Sequence, residues 1–302
     1  MNLQQLRKIM VFYGRFTPSY TQIGYWTRAL LWRDPKPDFA GQTWLVTGAS
    51  GGLGRFMALE AARLGATVIA VARNQSKLDQ VVSEARVMGA DRVQTAVCDF
   101  SLQADTQRLV NDLIGQGRKI DVLVNNVGLL SHAHQITSEG LIRGEVFQMA
   151  RPLVINMTSG GGYNVALSTR ALNTLDPKKY NGTLAYGWHK RAQMVLNQHW
   201  RDTYGQRGFN FYVMHPGWAD TEGVKTALPR FREVLKAVLR DEKSGTDTAI
   251  WLAAVRPGQR EEESVWFDRK QRVAHVYPHT RTSKDTPKTL LAWLEAEAAR
   301  LP

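Results

Sequence analysis

Tyr186 and Lys190 stand four positions apart, so a helix carries both on one face. A free phenol keeps its proton up to about pH 10, too tightly for a proton shuttle at neutral pH. An ammonium beside it favours the phenolate. Such a phenol can hand a proton to a carbonyl oxygen while hydride arrives at the carbon. Ser159 adds a hydroxyl able to hydrogen-bond that oxygen as charge develops. Alone, a Tyr–Lys pair at this spacing is common on exposed helices. Its context is a second element upstream, Thr47-Gly48-Ala49-Ser50-Gly51-Gly52-Leu53-Gly54. Glycines let backbone approach a phosphate, and the free N–H groups of a following helix favour the anion. Gly48, Ser50, Gly52, Leu53 and Gly54 are therefore candidate dinucleotide contacts. A tight turn without a ligand is the plain alternative.

Residues so far apart in sequence need a frame that brings them together. After residue 42 short apolar runs alternate with amphipathic stretches. Strands are expected at Trp44–Val46, Thr67–Val71, Val93–Val97, Val122–Val124, Leu153–Met157 and Phe211–Met214. Helices are expected at Leu53–Leu64, Lys77–Met88 and Thr106–Gly115, with an amphipathic helix over Lys284–Leu301. Continuous β-branched runs suit buried parallel strands, and strand–helix alternation implies a doubly wound sheet. The expectation is an α/β Rossmann fold in a single domain, residues 41–302, preceded by a basic, aromatic extension, residues 1–40. The second strand ends at Ala72-Arg73-Asn74. An acid there suits the ribose hydroxyls of NAD, whereas Arg suits a 2′-phosphate, so Arg73 favours NADP(H), with NAD second. Arg55 is either a second phosphate contact or a solvated helix residue.

Composition removes several classes. The chain has 302 residues, 43% hydrophobic and 22% charged, an ordinary globular balance. Its single cysteine, Cys98, lies beside an apolar run, which suits a core filler in a reducing compartment such as the cytoplasm. No run of 18 apolar residues is present, so no bilayer-spanning helix is expected. The net charge of +12 suits an anionic partner, but no nucleic-acid motif appears. His132 and His134 are too weak a pair to predict a metal site.

Positions 1–33 hold five basic residues and no acid, together with Phe12, Tyr13, Phe16, Tyr20, Tyr25, Trp26 and Trp32. Basic residues among aromatics suit contact with a membrane interface. The alternative is packing of those rings on the main domain. Asp34-Pro35-Lys36-Pro37 reads as a stiff linker.

Over roughly residues 42–280 the chain resembles the short-chain dehydrogenase/reductase family. The glycine turn is followed by Asp99 after the third strand, Asn125-Asn126-Val127-Gly128, Thr158-Ser159, Tyr186-Gly187-Trp188-His189-Lys190 and Pro216-Gly217 with Thr221. Longer strings, Met157–Gly161, Asn181–Thr183, Tyr186–Arg191, His215–Thr221 and Phe267–Lys270, are similar to the animal subgroup called dehydrogenase/reductase member 12 and its bacterial relatives. The resemblance implies Ser159, Tyr186 and Lys190 as the catalytic set. It implies Asp99 near the adenine, Asn126 and Gly128 along the cofactor, Pro216, Gly217 and Thr221 over the nicotinamide, and cofactor contacts from Tyr186 and Lys190 themselves.

One departure stands out. In the family, a long helix between the fourth and fifth strands carries a catalytic Asn and half of the dimer interface. Here only 24 residues separate Gly128 from Leu153, and none from 129 to 152 is Asn. The shortened crossover suggests slow turnover, a monomer, and a bared sheet face that the N-terminal aromatics could cover. The reading is an NADP(H)-dependent oxidoreductase interconverting a carbonyl with a secondary or primary alcohol, on a small lipophilic substrate. Tyr163, Trp188 and Trp218 suggest an aromatic cleft for it. The alternative is a nucleotide-binding protein without turnover.

Overall fold

The computed structural model describes residues 14, 16–128, 152–172, 180–260 and 263–300. Apolar runs form an eight-stranded sheet ordered β3-β2-β1-β4-β5-β6-β7-β8. The strands are β1 Thr43–Thr47, β2 Thr67–Ala72, β3 Val93–Val97, β4 Val122–Asn125, β5 Leu153–Met157, β6 Asn210–Met214, β7 Ser264–Phe267 and β8 Lys270–Val273. The first seven are parallel and β8 is antiparallel to β7. Among the described residues, the helices of six residues or more are α1 Gln22–Ala29, α2 Gly52–Arg63, α3 Gln75–Val87, α4 Gln103–Gly115, α5 Gly182–Tyr204, α6 Glu222–Ala227, α7 Pro229–Leu235, α8 Glu242–Val255 and α9 Pro287–Arg300. The chain is a single Rossmann domain.

Side chains along the strands alternate between two faces. Trp44, Val46, Val68, Ala70, Val122 and Val124 pack with Met57, Leu78 and Ala249, from α2, α3 and α8. Leu45, Ile69, Leu123 and Val154 pack with Leu109, Val110 and Leu113 of α4, and with Trp200 of α5. Cys98 is fully buried in that second cluster, where burial pushes its thiol up, as a core filler should behave.

Two details were outside the reach of apolar periodicity. Helix α3 begins at Gln75 because the Asn74 side chain accepts a hydrogen bond from the Lys77 N–H. β7 and β8 are four-residue strands joined at Asp268 and Arg269, both with positive φ, 50° and 54°. That is the backbone of a two-residue primed turn, made without the Asn-Gly that usually announces it. Helix α9 buries Leu290 against Leu167, Ala192, Val195 and Leu196.

Among the described N-terminal aromatics, Phe16 and Tyr20 pack on the domain, while Trp26 stays exposed. Phe16 and Tyr20 are buried with Tyr163, Met194, Val213, Val265 and Phe267. They lie beside Met194 of α5 and against Val213, Val265 and Phe267 of β6 and β7, on the sheet face that also carries Phe211 and Val154. Tyr163 is therefore core rather than cleft wall, which corrects the aromatic-cleft expectation at that residue. The 129–151 segment, with the expected short crossover, His132 and His134, lies outside the described residues.

Candidate active site

Strand order reverses between β1 and β4, which opens a crevice at their C-terminal ends. The glycine turn leaves β1 there. Gly48 and Gly52 have φ of +67° and +52°, a region that side chains disfavour. Gly54 has ordinary φ, but a Cβ on it would stand 2.2 Å from the Gly48 carbonyl oxygen. The Asn126 side chain fixes this turn by donating to the Thr47 carbonyl at 3.1 Å, while its backbone N–H donates to Thr47 Oγ1 at 2.9 Å. Among the described residues no side chain caps the N-terminus of α2, which leaves its N–H groups for an anion. Ser50 is half-buried in the same turn. The cradle fits a dinucleotide pyrophosphate.

Pairwise contacts carry the site around the crevice. A Cβ on Gly52 would lie 3.8 Å from Thr221, and one on Gly245 of α8 would lie 2.8 Å from Leu53. The turn at Pro216 and Gly217 thus sits across from the glycine turn, and Thr221 caps α6 by accepting from Val224 N–H. On the other side, a Cβ on Gly128 would stand 3.0 Å from Lys190 Nζ. That amine is buried, donates to the Met157 carbonyl at 2.9 Å and Gln193 Oε1 at 3.2 Å, and lies 5.7 Å from the centre of the Tyr186 ring. Tyr186 in turn faces Gly161, two residues past Ser159. Close packing explains the glycines there: a Cβ on Gly162 would meet Met194 at 2.7 Å. The Ser159 hydroxyl accepts from the Gly161 N–H at 3.5 Å, at the start of this turn. His189 points away, exposed, with Nδ1 on the Ala185 carbonyl.

The adenosine end is less uniform. Asp99 Oδ1 accepts from Ser101 N–H and hydroxyl, which hold its carboxyl below the usual range, assisted by the Arg73 charge. Arg73 is 68% exposed and 3.9 Å from Asp99 Oδ2, so its guanidinium is available to a ligand. Arg55 is not: Glu84 and Glu242 engage it. Of the two cations considered, only Arg73 is left for a phosphate.

Two features had no local signal in the sequence. Asn125, Asn156 and Asn197 form a hydrogen-bonded chain, each step 2.9 Å, tying β4 through β5 to α5. And the His215 imidazole, at the end of β6, is wholly buried. Burial and the Arg240 charge push its pKa down to about 3, so it is neutral. Its Nδ1 accepts from the Gly217 N–H at 3.3 Å, and its Nε2 has no hydrogen-bond partner among the described residues.

A family profile described as short chain dehydrogenase matches residues 42–230. Dehydrogenase/reductase SDR family member 12 of Bos taurus is 30% identical over 306 residues, covering 92% of this chain and 93% of the relative. A short chain dehydrogenase from Salmonella enterica serovar Typhi shares the fold at a TM-score of 0.58, with 20% identity, over 74% of this chain and 95% of that one. The Pseudomonas aeruginosa RhlG/NADP active-site complex does so at 0.57, with 21% identity, over 74% and 93%. With its glycine turn, its Tyr186–Lys190 helix and these matches, the chain belongs to the short-chain dehydrogenase/reductase family.

Proposed function

We propose that the chain is an NADP(H)-dependent oxidoreductase interconverting a carbonyl and a secondary or primary alcohol. The observation that carries this is the Lys190 amine, buried between Gly128 and the Tyr186 ring and held by Met157 and Gln193. The bound dinucleotide supplies or takes up hydride. Tyr186 delivers a proton to the substrate oxygen in reduction and recovers it in oxidation. The Lys190 charge stabilises the phenolate that results, and Ser159 donates a hydrogen bond to the same oxygen. Gly48, Ser50, Gly52, Leu53 and Gly54 hold the pyrophosphate, Arg73 the 2′-phosphate and Asp99 the adenosine. Asn126 and Gly128 line the crevice, and Pro216, Gly217 and Thr221 cover the nicotinamide. Residues 1–40 act as an extension of the catalytic domain, 41–302.

Calorimetric titration with NADPH and separately with NADH tests the cofactor half. Tight NADPH binding with weak NADH binding is expected, and binding of neither would overturn the reading. Tyr186→Phe should then abolish turnover on a carbonyl panel while keeping NADPH affinity. Unchanged turnover would remove Tyr186 from its role.

A small lipophilic substrate and a cytoplasmic location with peripheral membrane contact complete the reading. Among the described residues no helix is long and apolar enough to cross a membrane. Yet Ile23, Trp26, Leu30 and Leu31 are 53%, 60%, 85% and 87% exposed, with the basic Arg33, Lys36, Lys270 and Arg272 exposed in the same region of sequence and hairpin. A groove of about 510 Å³ runs between Leu31, Trp32, Trp251 and those hairpin cations. Apolar side chains with flanking cations suit an anionic lipid surface. Sedimentation with phosphatidylserine-containing vesicles should deplete the protein from solution, and Trp26→Ser with Leu31→Ser should restore it. Equal binding by that variant would reject the contact.

A further inference from the structure

Arg240 and Asp268 form an ion pair in which each side chain is 1% exposed. Burying two charges is unfavourable unless the remaining donors find partners. Here they do. Arg240 Nη1 and Nη2 bind the two Asp268 oxygens at 2.7 and 2.9 Å. Nε donates to the Tyr20 carbonyl at 2.9 Å, Nη2 to the Ser19 carbonyl at 3.2 Å and Nη1 to the Pro216 carbonyl at 3.4 Å. The guanidinium lies 4.9 Å from the Phe267 ring and 5.5 Å from that of Tyr25. One cation thereby joins the N-terminal segment, the Pro216 turn and the β7–β8 hairpin.

The turn is bound to the N-terminal segment in other ways. The Trp218 N–H donates to the same Tyr20 carbonyl at 2.9 Å. Arg240 N–H donates to the Trp218 carbonyl at 2.8 Å, and Asp220 N–H to the Arg240 carbonyl at 2.9 Å. Gly217 has φ +78°, and a Cβ on it would fall 2.4 Å from Arg240 Nε. The Tyr20 ring stands edge-on to His215 at 4.7 Å and to Trp218 at 5.8 Å. Beneath, Gln22 donates through its side chain to Ser244 at 2.7 Å and through its backbone to the Val238 carbonyl at 2.9 Å. Arg28 adds a second cation on Asp268, with Nε 2.7 Å from Oδ2.

We propose that residues 19–28 are a working part of the nicotinamide side of the site, and that Arg240, Asp268 and Arg28 are positioning residues for the Pro216–Thr221 turn. This rests on the assignment of that turn to the nicotinamide. The segment is then a strap across the back of the turn, fixing its carbonyls and N–H groups before any ligand arrives. Preorganisation of this kind raises affinity by removing an ordering cost from binding.

The test compares NADPH with adenosine 2′,5′-bisphosphate, which carries the phosphate end but no nicotinamide, by calorimetry on the full chain. Arg28→Met leaves the Arg240–Asp268 pair intact and starts from a partly exposed side chain, so it is the primary variant, with Arg240→Met as the stronger one. The expected result is NADPH binding weakened about tenfold with the bisphosphate affinity unchanged. A merely structural staple would lower the melting temperature and weaken both ligands alike, or neither. Either pattern in a folded variant overturns the proposal. Hydrogen exchange of the peptide covering residues 216–221, without ligand, gives an independent reading. It should quicken in Arg28→Met, and unchanged exchange overturns the strap. If the wild-type chain binds neither ligand, the nucleotide reading fails while the exchange measurement still reports on the strap.

Discussion

Gly128 leaves no room beside Lys190: a Cβ on it would stand 3.0 Å from Nζ and 3.4 Å from Cε. The obstacle is the free end of a flexible side chain, so Gly128→Ala should fold. What it should move is the amine, away from the Met157 carbonyl and the Tyr186 ring. A misplacement of about 1 Å costs roughly a hundredfold in rate, so a shift of a few tenths should cost several-fold. NADPH consumption with a carbonyl panel should therefore fall in Gly128→Ala while its melting temperature stays near that of the wild type. Full turnover would show that the position of the amine is immaterial.

Arg73 and Arg55 should behave differently. Arg73 is exposed, and among the described residues its charged partner is Asp99, at 3.9 Å. Arg55 is already shared by Glu84 and Glu242. Arg73→Ala should weaken NADPH binding by about tenfold or more and leave NADH unaffected, since a charge-assisted phosphate contact is worth about 1.5–3 kcal/mol. Arg55→Ala should change neither. Equal losses for the two coenzymes in Arg73→Ala would remove this residue as the phosphate partner.

His215 makes stability depend on pH. It is neutral in the fold down to about pH 3, whereas in the unfolded chain it takes up a proton below its ordinary value near 6.5. Between those values the unfolded state binds more protons, so stability is present above pH 6.5 and falls as pH falls. The slope is about 1.4 kcal/mol per pH unit, or roughly 2 kcal/mol between pH 6.5 and 5. Asn in place of His keeps an acceptor for the Gly217 N–H and does not titrate. Thermal melts of His215→Asn and wild type at these two pH values should show the smaller drop in the variant. Parallel drops would mean that His215 is protonated without penalty in the folded protein.

The asparagine chain predicts a coupled loss. Asn197→Ala leaves Asn156 Nδ2, on a residue 1% exposed, without its acceptor. A stranded buried donor costs about 1–3 kcal/mol. Asn156→Ala should cost a similar amount, and the double variant clearly less than the sum, because the two remove one interaction. Denaturant melts of the three variants measure this; strict additivity would mean the two side chains act independently.

The parts of the molecule legible in sequence are those whose signal is local. The glycine turn announces itself because Gly48 and Gly52 need positive φ and Gly54 needs to touch Gly48 within one turn of chain. Tyr186 and Lys190 share a helix face, so their spacing suffices. Arg240 gave no such signal: its partners are 28 and 220 residues away in Asp268 and Tyr20, and only the folded chain brings them together. Glu263 follows Glu261 and Glu262, and a run of acids carries no local sign of burial. In the structure it lies 3.1 Å from both the buried Arg191 and His275. Tyr163 reads as a cleft aromatic from its place after the fifth strand, while Phe16 and Tyr20, which share its buried cluster, come from far away in the chain.

That separation bears on how the protein is made. Arg28 and Asp268 are 240 residues apart, and Gln22 meets Ser244 across 222. At roughly 5–20 residues per second, a ribosome needs about 10–50 s to make the second partner after the first. Throughout that interval Phe16, Tyr20 and the face of α1 that ends up inward have nowhere to dock. Residues 16–28, made before the domain they pack on, are thus seated late, and a nascent chain will present sticky aromatic surface for most of the domain's synthesis. Holding that surface, rather than building the sheet, is where a chaperone would have its work on this molecule.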